Sequence, residues 1–263
     1  MKFRPCIDIH NGKVKQIVGG SLSDVGNQAK ENFVAEQDAA FYARLYRDRG
    51  IKGGHIILLN KEGSEYYDED VKQAELALTA YPDGLMIGGG IHAENAAAFL
   101  EMGASHVIVT SYVFVDGHVH YDRLRDLTES VGREHLVLDL SCRKRNGSYY
   151  IVTDRWQKFT EEEVNMQTLT KLSAYCDEFL IHAVDVEGRV SGIECELAGL
   201  LGEFDKIPIT YAGGVSSFED LEVLRRLGHN HIDVTIGSAL DLFGGHMKYE
   251  DVLAFMEQTP DGM

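Results

Sequence analysis

The chain has 263 residues, of which 44% are hydrophobic, and its formal net charge is -17 at pH 7. So negative a protein is not expected to bind nucleic acid or anionic membranes, because both attract basic surfaces. A length near 263 residues is ordinary for one α/β barrel, and no apolar run approaches the roughly 20 residues that cross a bilayer.

The chain begins with MKFRPCIDIH, which enters a predicted strand at once. It shows neither the apolar core of a signal peptide nor the arginine-rich character of a transit segment, so we expect a cytoplasmic location. The four cysteines are widely spaced and form no CxxC pair. We expect them to be reduced and to have no special role.

Short segments rich in Ile, Val or Leu recur along the chain, and a helical pattern follows each of them, which is typical of parallel strands covered on both faces. The predicted strands are residues 3–9, 54–60, 84–88, 106–110, 135–140, 178–184, 207–212 and 232–236. The predicted helices are residues 31–49, 69–80, 93–102, 119–131, 161–174, 194–202, 217–227 and 249–257. Eight such units without a linker predict one α/β domain over residues 1–263, a closed (β/α)8 TIM barrel.

Several predicted helix ends have local causes. Thr160 and Ser216 each stand at capping-box spacing from a following glutamate, so each is expected to satisfy free NH groups at a helix start. Gly50, Gly103 and Gly228 stand where helices should stop, since glycine takes the left-handed conformation at little cost.

One pattern occurs twice, about half the chain length apart. In each copy a strand runs into a glycine turn, a helix, a second strand and a turn of small residues, which suits the binding of a phosphate by backbone NH groups. The first copy joins 88–90 to Thr110-Ser111, and the second joins Gly213-Gly214 to Gly237-Ser238. A single glycine turn would be a weak indication. The pair predicts two half-barrels, about 1–133 and 134–263, with an anion site in each.

Asp8 and Asp139 end the first and the fifth predicted strand, which lie opposite each other in an eight-stranded barrel. Opposed carboxylates suit proton shuttling, because one can remove a proton while the other, kept protonated, donates one. The sixth strand leads into Asp185 and Glu187, and one of these acids is also expected to act at the barrel mouth. The residues alone leave open which one.

Histidines offer a second set of candidates. His10 and His182 stand at strand ends near the acids, where each could hydrogen-bond a substrate or serve the structure. His118 and His120 face the same side of an extended segment, but no third ligand is evident, so we predict no metal site.

The only tryptophan, Trp156, lies in a long polar loop after a short strand at 149–152. Such a loop at a barrel mouth favours a lid that stacks on a flat heterocycle over simple core packing. Arg143, Lys144 and Arg145, which precede that strand, form a solvated run or help to hold an anion.

The sequence resembles the histidine-biosynthesis aminoaldose-aminoketose isomerases from end to end. These enzymes act on phosphoribosylformimino-aminoimidazole carboxamide ribotide, which carries a phosphate at each end. The resemblance implies a two-fold repeated (β/α)8 barrel that works without cofactor or metal, and we expect a monomer whose partner is this small bis-phosphorylated substrate. The opening segment, the tryptophan loop and HAVDVEG resemble the eukaryotic-type branch most. The segments that carry the resemblance are CIDIHNGKVKQ, IGGGI, VLDL, VTDRWQKFT, FLIHAVDVEG, YAGGVSS and TIGSALDL.

The resemblance also implies a mechanism, the Amadori rearrangement of an aldose to a ketose. An acid opens the furanose ring to a Schiff base, and a base removes the C2 proton to give an enolamine that becomes the ketose. By resemblance Asp8 is the base, and His182 and Trp156 are expected to contact the substrate. The implied phosphate sites are Gly89, Gly90, Thr110 and Ser111 for one phosphate, and Gly213, Gly214, Gly237 and Ser238 for the other.

The chain departs from the common bacterial pattern around the sixth strand. Bacterial members have Thr at the end of that strand and an Asp soon after it, where this chain has His182 and Glu187. The general acid is therefore Glu187 or Asp139, with Asp185 as the third candidate.

Two other functions remain open. The sister cyclase of the same pathway, the cyclase subunit of imidazole glycerol phosphate synthase, shares the barrel, the phosphate turns and the paired aspartates, but the tryptophan loop favours the isomerase. A non-catalytic barrel that binds phosphate ligands would not need Asp8, Asp139 and both glycine turns together.

Overall fold

The structure is a computed structural model that describes residues 1–17, 29–154, 156–188 and 191–258. Within these ranges no helix is long and apolar enough to cross a membrane. The strands are β1 (Cys6–His10), β2 (Lys13–Ile17), β3 (Glu31–Val34), β4 (Gly54–Leu58), β5 (Leu85–Gly88), β6 (Val107–Val109), β7 (Phe114–Val115), β8 (His118–Val119), β9 (Leu136–Asp139), β10 (Cys142–Arg145), β11 (Ser148–Thr153), β12 (Lys158–Glu163), β13 (Glu178–His182), β14 (Ile209–Ala212) and β15 (Ile232–Thr235). The helices are α1 (Ala39–Asp48), α2 (Tyr67–Ala80), α3 (Ala96–Glu101), α4 (Tyr121–Val131), α5 (Met166–Leu172), α6 (Cys195–Gly202), α7 (Phe218–Leu227) and α8 (Tyr249–Glu257).

Eight parallel strands form a closed barrel in the order β1, β4, β5, β6, β9, β13, β14, β15. Each is adjacent to the next barrel strand along the chain, as successive βα units produce. The ring closes because Phe3, just before β1, bridges Val234 in β15, and the Arg4 backbone N donates to the Val234 carbonyl oxygen at 2.8 Å. The predicted (β/α)8 TIM barrel is confirmed, with β1, β4, β5 and β6 in its first half and β9, β13, β14 and β15 in its second.

The amino ends of the barrel strands are closed by charged side chains. Arg4 Nε donates to Asp233 Oδ2 at 2.8 Å and its guanidinium lies 3.7 Å from Glu178, whose Oε1 accepts from Thr210 Oγ1 at 2.6 Å. Above this floor the interior is apolar, which leaves the carboxyl ends as the accessible side. The buried residues of this apolar layer are Met86, Ile108, Val137, Leu180 and Ala212.

Each helix covers the barrel with an apolar stripe, as α1 illustrates. Asp38 caps its start by accepting from the Phe41 backbone N at 2.9 Å, and it buries Tyr42 and Tyr46 against the strands. The Tyr46 hydroxyl donates to the Cys6 carbonyl oxygen at 3.2 Å, so even this buried polar group has a partner.

A short antiparallel sheet extends the first half at the carboxyl end of the barrel. β1 pairs with β15 near Phe3, but from Asp8 to His10 it pairs with β2 instead, so β2 takes the place above the carboxyl end of β15. β3 pairs with β2 and brings the Phe33 ring to 5.9 Å from the Phe243 ring. Phe243 lies just beyond the turn at Gly237-Ser238, which follows β15. The first loop of the first half therefore covers a turn that belongs to the second half.

The second half has the reverse arrangement. β10, β11 and β12 form a sheet after β9. It reaches the loop after β6, where the Glu161 backbone N donates to the Gly117 carbonyl oxygen at 2.8 Å and the Asp154 backbone N lies 3.5 Å from Ser111 Oγ. The first loop of each half thus lies over the loop that follows the last barrel strand of the other half.

Two predicted helices begin later than their sequence patterns indicate. The first part of the helix predicted at 31–49 is wrong, because residues 31–34 form β3 and α1 begins at Ala39. The helix predicted at 161–174 is likewise preceded by β12. Thr160 is not a helix cap but a strand residue, and Asn165 caps α5 by accepting from two backbone N atoms at 3.0 Å. In both places short strands pair with a partner that the local sequence does not reveal.

The start of α7 also differs by one residue from its prediction. Ser217, not Ser216, is the cap, and its Oγ accepts from the Asp220 backbone N at 3.2 Å. Asp220 reaches back and accepts from the backbone N and the Oγ of Ser216, both at 2.8 Å. The arrangement resembles a capping box, but Asp220 stands in place of Glu and bonds the residue before the cap rather than the cap itself.

Two of the three predicted glycine stops have the predicted conformation. Gly50 after α1 and Gly103 after α3 have φ of 66° and 116°. α7 does end at Leu227 with Gly228 as its C-cap, but the left-handed conformation expected for Gly228 is wrong, because its φ is -85°. Glycine is needed there for space, since a β-carbon would lie 2.9 Å from the Leu224 carbonyl oxygen.

Candidate active site

A cavity of about 410 Å³ opens at the carboxyl ends of the barrel strands. Its volume is in the range of small-molecule sites, and its position is where this fold places them. The structure brings thirteen of the residues proposed from the sequence to this one cavity. They are Asp8, Gly89, Gly90, Thr110, Ser111, Asp139, Trp156, His182, Glu187, Gly213, Gly214, Gly237 and Ser238.

The two glycine turns have nearly the same backbone conformation. The φ angles are 100° at Gly89 and 71° at Gly90, and 115° at Gly213 and 78° at Gly214. These are left-handed values that glycine adopts without strain. Space is also limiting, since a β-carbon at Gly89 would lie 2.1 Å from the Leu58 carbonyl oxygen. Turns of this kind form concave nests of backbone NH groups that bind anions.

Asp139, at the end of β9, is held by several partners. Its Oδ1 accepts from the Ser141 backbone N at 2.8 Å and from Ser141 Oγ at 2.7 Å, and its Oδ2 accepts from Thr110 Oγ1 at 3.2 Å. His182 Nδ1 lies 3.5 Å from Oδ1, which is an ion-pair contact rather than a well-formed hydrogen bond. Burial disfavours the carboxylate, but His182 and Ser141 outweigh it and hold the pKa of Asp139 below its usual value. Asp139 is therefore ionised at neutral pH.

Asp8 lies within β1 at the equivalent position of the first half, and its surroundings are different. Gln16 Nε2 donates to its Oδ2 at 3.4 Å, a long hydrogen bond. Burial, together with the neighbouring Glu187, raises the pKa of Asp8 to about 7, although the His182 cation opposes the rise. A carboxyl group with a pKa near neutrality can take up and release protons at the working pH.

His182 connects these acids. Burial alone would favour the neutral ring, but Asp139, with contributions from Glu187 and Asp8, raises the pKa of His182 to about 9. A buried cation therefore lies among three carboxyl groups. Trp156, in the turn between β11 and β12, places its ring 5.7 Å from the His182 ring, at the cavity wall.

Glu187 and Asp185 follow β13, but their side chains go to different places. Glu187 lines the cavity beside the second glycine turn, where a β-carbon at Gly213 would lie 3.1 Å from its Oε2. Burial raises its pKa, although His182 opposes the rise. Asp185 instead accepts from Arg143 Nε at 2.8 Å and does not line the cavity. Its candidacy as the acid is not supported by the geometry.

The basic side chains of β10 likewise contact other side chains of the protein. Besides the contact of Arg143 with Asp185, Lys144 Nζ pairs with Glu196 at 2.6 Å and the Arg145 guanidinium lies 4.3 Å from the Tyr150 ring centroid. These three side chains do not line the cavity, so the proposed help with an anion is not supported.

The other histidines considered from the sequence, His10, His118 and His120, do not line the cavity. His118 pairs with Glu162 at 3.7 Å, and His120 caps α4 by accepting from a backbone N. His10 is 2% exposed and is not among the cavity residues. In the described part of the chain, no group of three or more His, Cys, Asp or Glu side chains is arranged to hold a metal ion.

The cavity residues that were not predicted from the sequence include Gln16, His55 and Thr235. Burial lowers the pKa of His55 to about 3, so this ring is neutral, and it lies 6.2 Å from the His182 ring. His55 and Thr235 stand inside apolar strand segments and give no separate signal. Gln16 belongs to β2, whose residues KVKQI do not alternate strictly between polar and apolar, so it gives no clear signal either.

Comparison with known proteins agrees with this geometry. Residues 2–248 match the sequence profile of a family described as histidine biosynthesis protein. A chloroplastic 1-(5-phosphoribosyl)-5-((5-phosphoribosylamino)methylideneamino)imidazole-4-carboxamide isomerase of Medicago truncatula is 52% identical over 263 residues, covering 98% of this chain and 82% of the relative. Isomerases of the same name from Yarrowia lipolytica and Saccharomyces cerevisiae are 46% and 42% identical, and each alignment covers 98% of both proteins.

Proposed function

Because this chain belongs to the histidine biosynthesis protein family, we propose that it isomerises the aminoaldose phosphoribosylformimino-aminoimidazole carboxamide ribotide to its aminoketose. One observation carries this proposal: acids with raised pKa values and two glycine turns of matching conformation line the same cavity. The names of the relatives favour the isomerase over the cyclase and over a non-catalytic barrel.

The two turns are proposed to hold the two phosphates of the substrate. Backbone NH groups and small hydroxyls can bind a phosphate without a cluster of basic side chains, which fits a protein with a net charge of -17. One phosphate would be held by Gly89, Gly90, Thr110 and Ser111, and the other by Gly213, Gly214, Gly237 and Ser238.

Asp8 is proposed as the base and Glu187 as the acid. Burial raises the pKa of both groups, to about 7 at Asp8, which suits Asp8 to exchanging a proton near neutral pH and favours the protonated form of Glu187 relative to an exposed glutamate. Asp139 is a poorer acid, because His182 and Ser141 stabilise its ionised form. Its proposed part is to keep His182 protonated and in place, where the cation and the Trp156 ring contact the substrate.

The proton transfers then balance. Glu187 gives its proton to the ring oxygen as the bond from that oxygen to C1 breaks, and a Schiff base forms. Asp8 removes the C2 proton, and the electron pair of that C–H bond forms the enolamine. The ketose results when C1 takes a proton back from Asp8 and the C2 hydroxyl returns one to Glu187. Both carboxyl groups end in their starting states, so no other reactant is needed.

A spectrophotometric assay with the purified chain and the ribotide aminoaldose tests this proposal directly. We expect saturable conversion to the aminoketose, and a parallel assay with the tryptophan-pathway aminoaldose shows whether the site is specific for the ribotide. A Glu187→Gln variant, which keeps the shape but cannot donate the proton, should lose most of the turnover. Binding of the ribotide without turnover by the wild-type chain would contradict an isomerase and favour a binding protein.

Three further properties belong to the same proposal. The chain is proposed to act as a monomer, since all the proposed site residues come from one chain, and to form one domain whose halves meet near residue 133. The pairing of Phe3 with Val234, which joins the two ends of the barrel, supports the single domain. A cytoplasmic location stays a prediction, and the Medicago relative is named as chloroplastic.

A further inference from the structure

The two half-barrels supply hydrogen-bond donors to their equivalent carboxylates, Asp8 and Asp139, from different positions. In the repeat, Thr110 corresponds to Gly237, as Ser111 corresponds to Ser238. Thr110 Oγ1 donates to Asp139 at 3.2 Å, whereas glycine at the equivalent position offers Asp8 no hydroxyl. A different side chain must supply a donor to Asp8 if its orientation is to be fixed.

Gln16 occupies the place that Gly237 leaves open. Its Nε2 lies 3.4 Å from Asp8 Oδ2 and 3.6 Å from Cys6 Sγ. A β-carbon at Gly237 would lie 2.4 Å from Gln16 Oε1, so the amide is packed directly against this glycine. Gln16 is only 4% exposed although it lines the cavity. Its side chain therefore lies between Asp8 and Gly237.

The strand pairing explains how this residue reaches the site. β2 takes the position above the carboxyl end of β15 because β1 pairs with β15 only near Phe3. The hairpin between β1 and β2 is fixed by Asp70, whose Oδ1 accepts from the Gly12 backbone N at 2.7 Å. The strand that carries Gln16 is thus anchored at the turn next to Asp8.

We propose that Gln16 is a positioning residue that orients Asp8, and that Gly237 lacks a side chain to make room for it. The inference rests on the proposed role of Asp8 as the base. The amide binds Oδ2 and leaves Oδ1 as the oxygen that meets the C2 proton. Contact of the same amide with Gly237 couples the orientation of Asp8 to the turn proposed to hold a phosphate, so substrate binding tightens the long bond in the occupied site.

The first test replaces Gln16 by Met, which keeps the length and packing of the side chain but removes the amide. We expect kcat to fall about tenfold with little change in KM, because misplacing a reacting group slows the chemical step. The acid limb of the pH profile should move to higher pH, since an N–H donor favours the ionised carboxylate. Gln167→Ala, on the exposed first turn of α5, is the matched control and should behave as wild type.

A second pair of variants tests the coupling with Gly237. Gly237→Ala keeps the backbone NH but pushes against the amide, so it should also lower kcat about tenfold. Adding Gly237→Ala to Gln16→Ala should cost almost nothing more, because the side chain in the way is gone. Fully additive losses would show that the two positions act independently and would overturn the coupling.

Titration of Asp8 separates this inference from the proposed function. Carboxyl infrared or 13C NMR spectra, with Asp8→Asn to identify the signal, report the pKa of Asp8 without any turnover. An upward shift in Gln16→Met supports the inference even if the wild-type chain fails to turn over the ribotide, which would contradict only the proposed function. An active wild-type chain together with an unchanged titration and an unchanged acid limb in Gln16→Met would overturn the positioning role.

Discussion

Asp8 and Asp139 lie at equivalent positions on the first strand of each half-barrel, and their surroundings differ sharply. Asp139 accepts three hydrogen bonds and faces the His182 cation, whereas one long bond from Gln16 reaches Asp8. The pKa is lowered at Asp139 and raised to about 7 at Asp8. A duplicated backbone position can thus hold a stable anion in one half and a proton-exchanging group in the other, and the neighbours decide which.

The largest effect on activity is expected for Asp8→Asn. The amide cannot take up the C2 proton, so we expect kcat to fall about 1000-fold, within the range of general-base effects. Substrate binding should be largely retained, because the proposed phosphate turns are untouched. Steady-state kinetics and equilibrium titration with the ribotide measure the two effects. Near-normal turnover would remove Asp8 as the base.

In contrast to Asp8→Asn, the main effect expected of Asp139→Asn is a loss of stability. It leaves the buried His182 cation without its main partner, and breaking a buried pair in this way costs about 3 kcal/mol. The free energy of unfolding from urea denaturation at pH 7 measures the loss, with Asp8→Asn as the control that is not destabilised. Equal stability of the two variants would mean that the two carboxylates are not specialised as described.

The pH dependence of stability sharpens the contrast. The folded state keeps a proton on Asp8 up to about pH 7, whereas the unfolded carboxyl loses it near the ordinary value of 3.8. Between these values the folded state binds more protons, so the contribution of Asp8 to stability falls as pH rises. We expect the advantage of Asp8→Asn over wild type in the free energy of unfolding to grow by about 1 kcal/mol per pH unit in this window. Parallel urea curves at pH 5, 6 and 7 would show it, and a constant difference would contradict the raised pKa.

The smallest expected effect concerns Trp156, in the loop that the second half contributes. Replacing it by Ala removes a ring beside His182, so KM should rise about fivefold through the loss of stacking. Phe at this position should recover most of the affinity. If Trp156→Ala and wild type have the same kinetics, the ring serves packing alone.

The barrel itself was predictable from the sequence because its strands are short apolar runs between helical patterns. The doubled glycine turn was predictable because φ values such as those of Gly89 and Gly213 require glycine. The strands β2, β3 and β12 were not predicted as strands, although each pairs with a strand nearby in the chain, because their residues KVKQI, ENFV and KFTEEE are rich in polar side chains and lack the apolar runs of the barrel strands. Tertiary contact also separates Asp185, which turns to Arg143, from Glu187, which turns to the cavity. Two acids so close in sequence cannot be distinguished by pattern.

The crossing of the two first loops makes the halves dependent on each other. Asp139 in the second half takes a hydrogen bond from Thr110 in the first, and Gly237 in the second is packed against Gln16 from the first. A polypeptide cut between the halves would give two fragments, each with one aspartate and one glycine turn. Neither fragment would hold its aspartate in the native setting, so activity would return only by complementation when the two fragments associate.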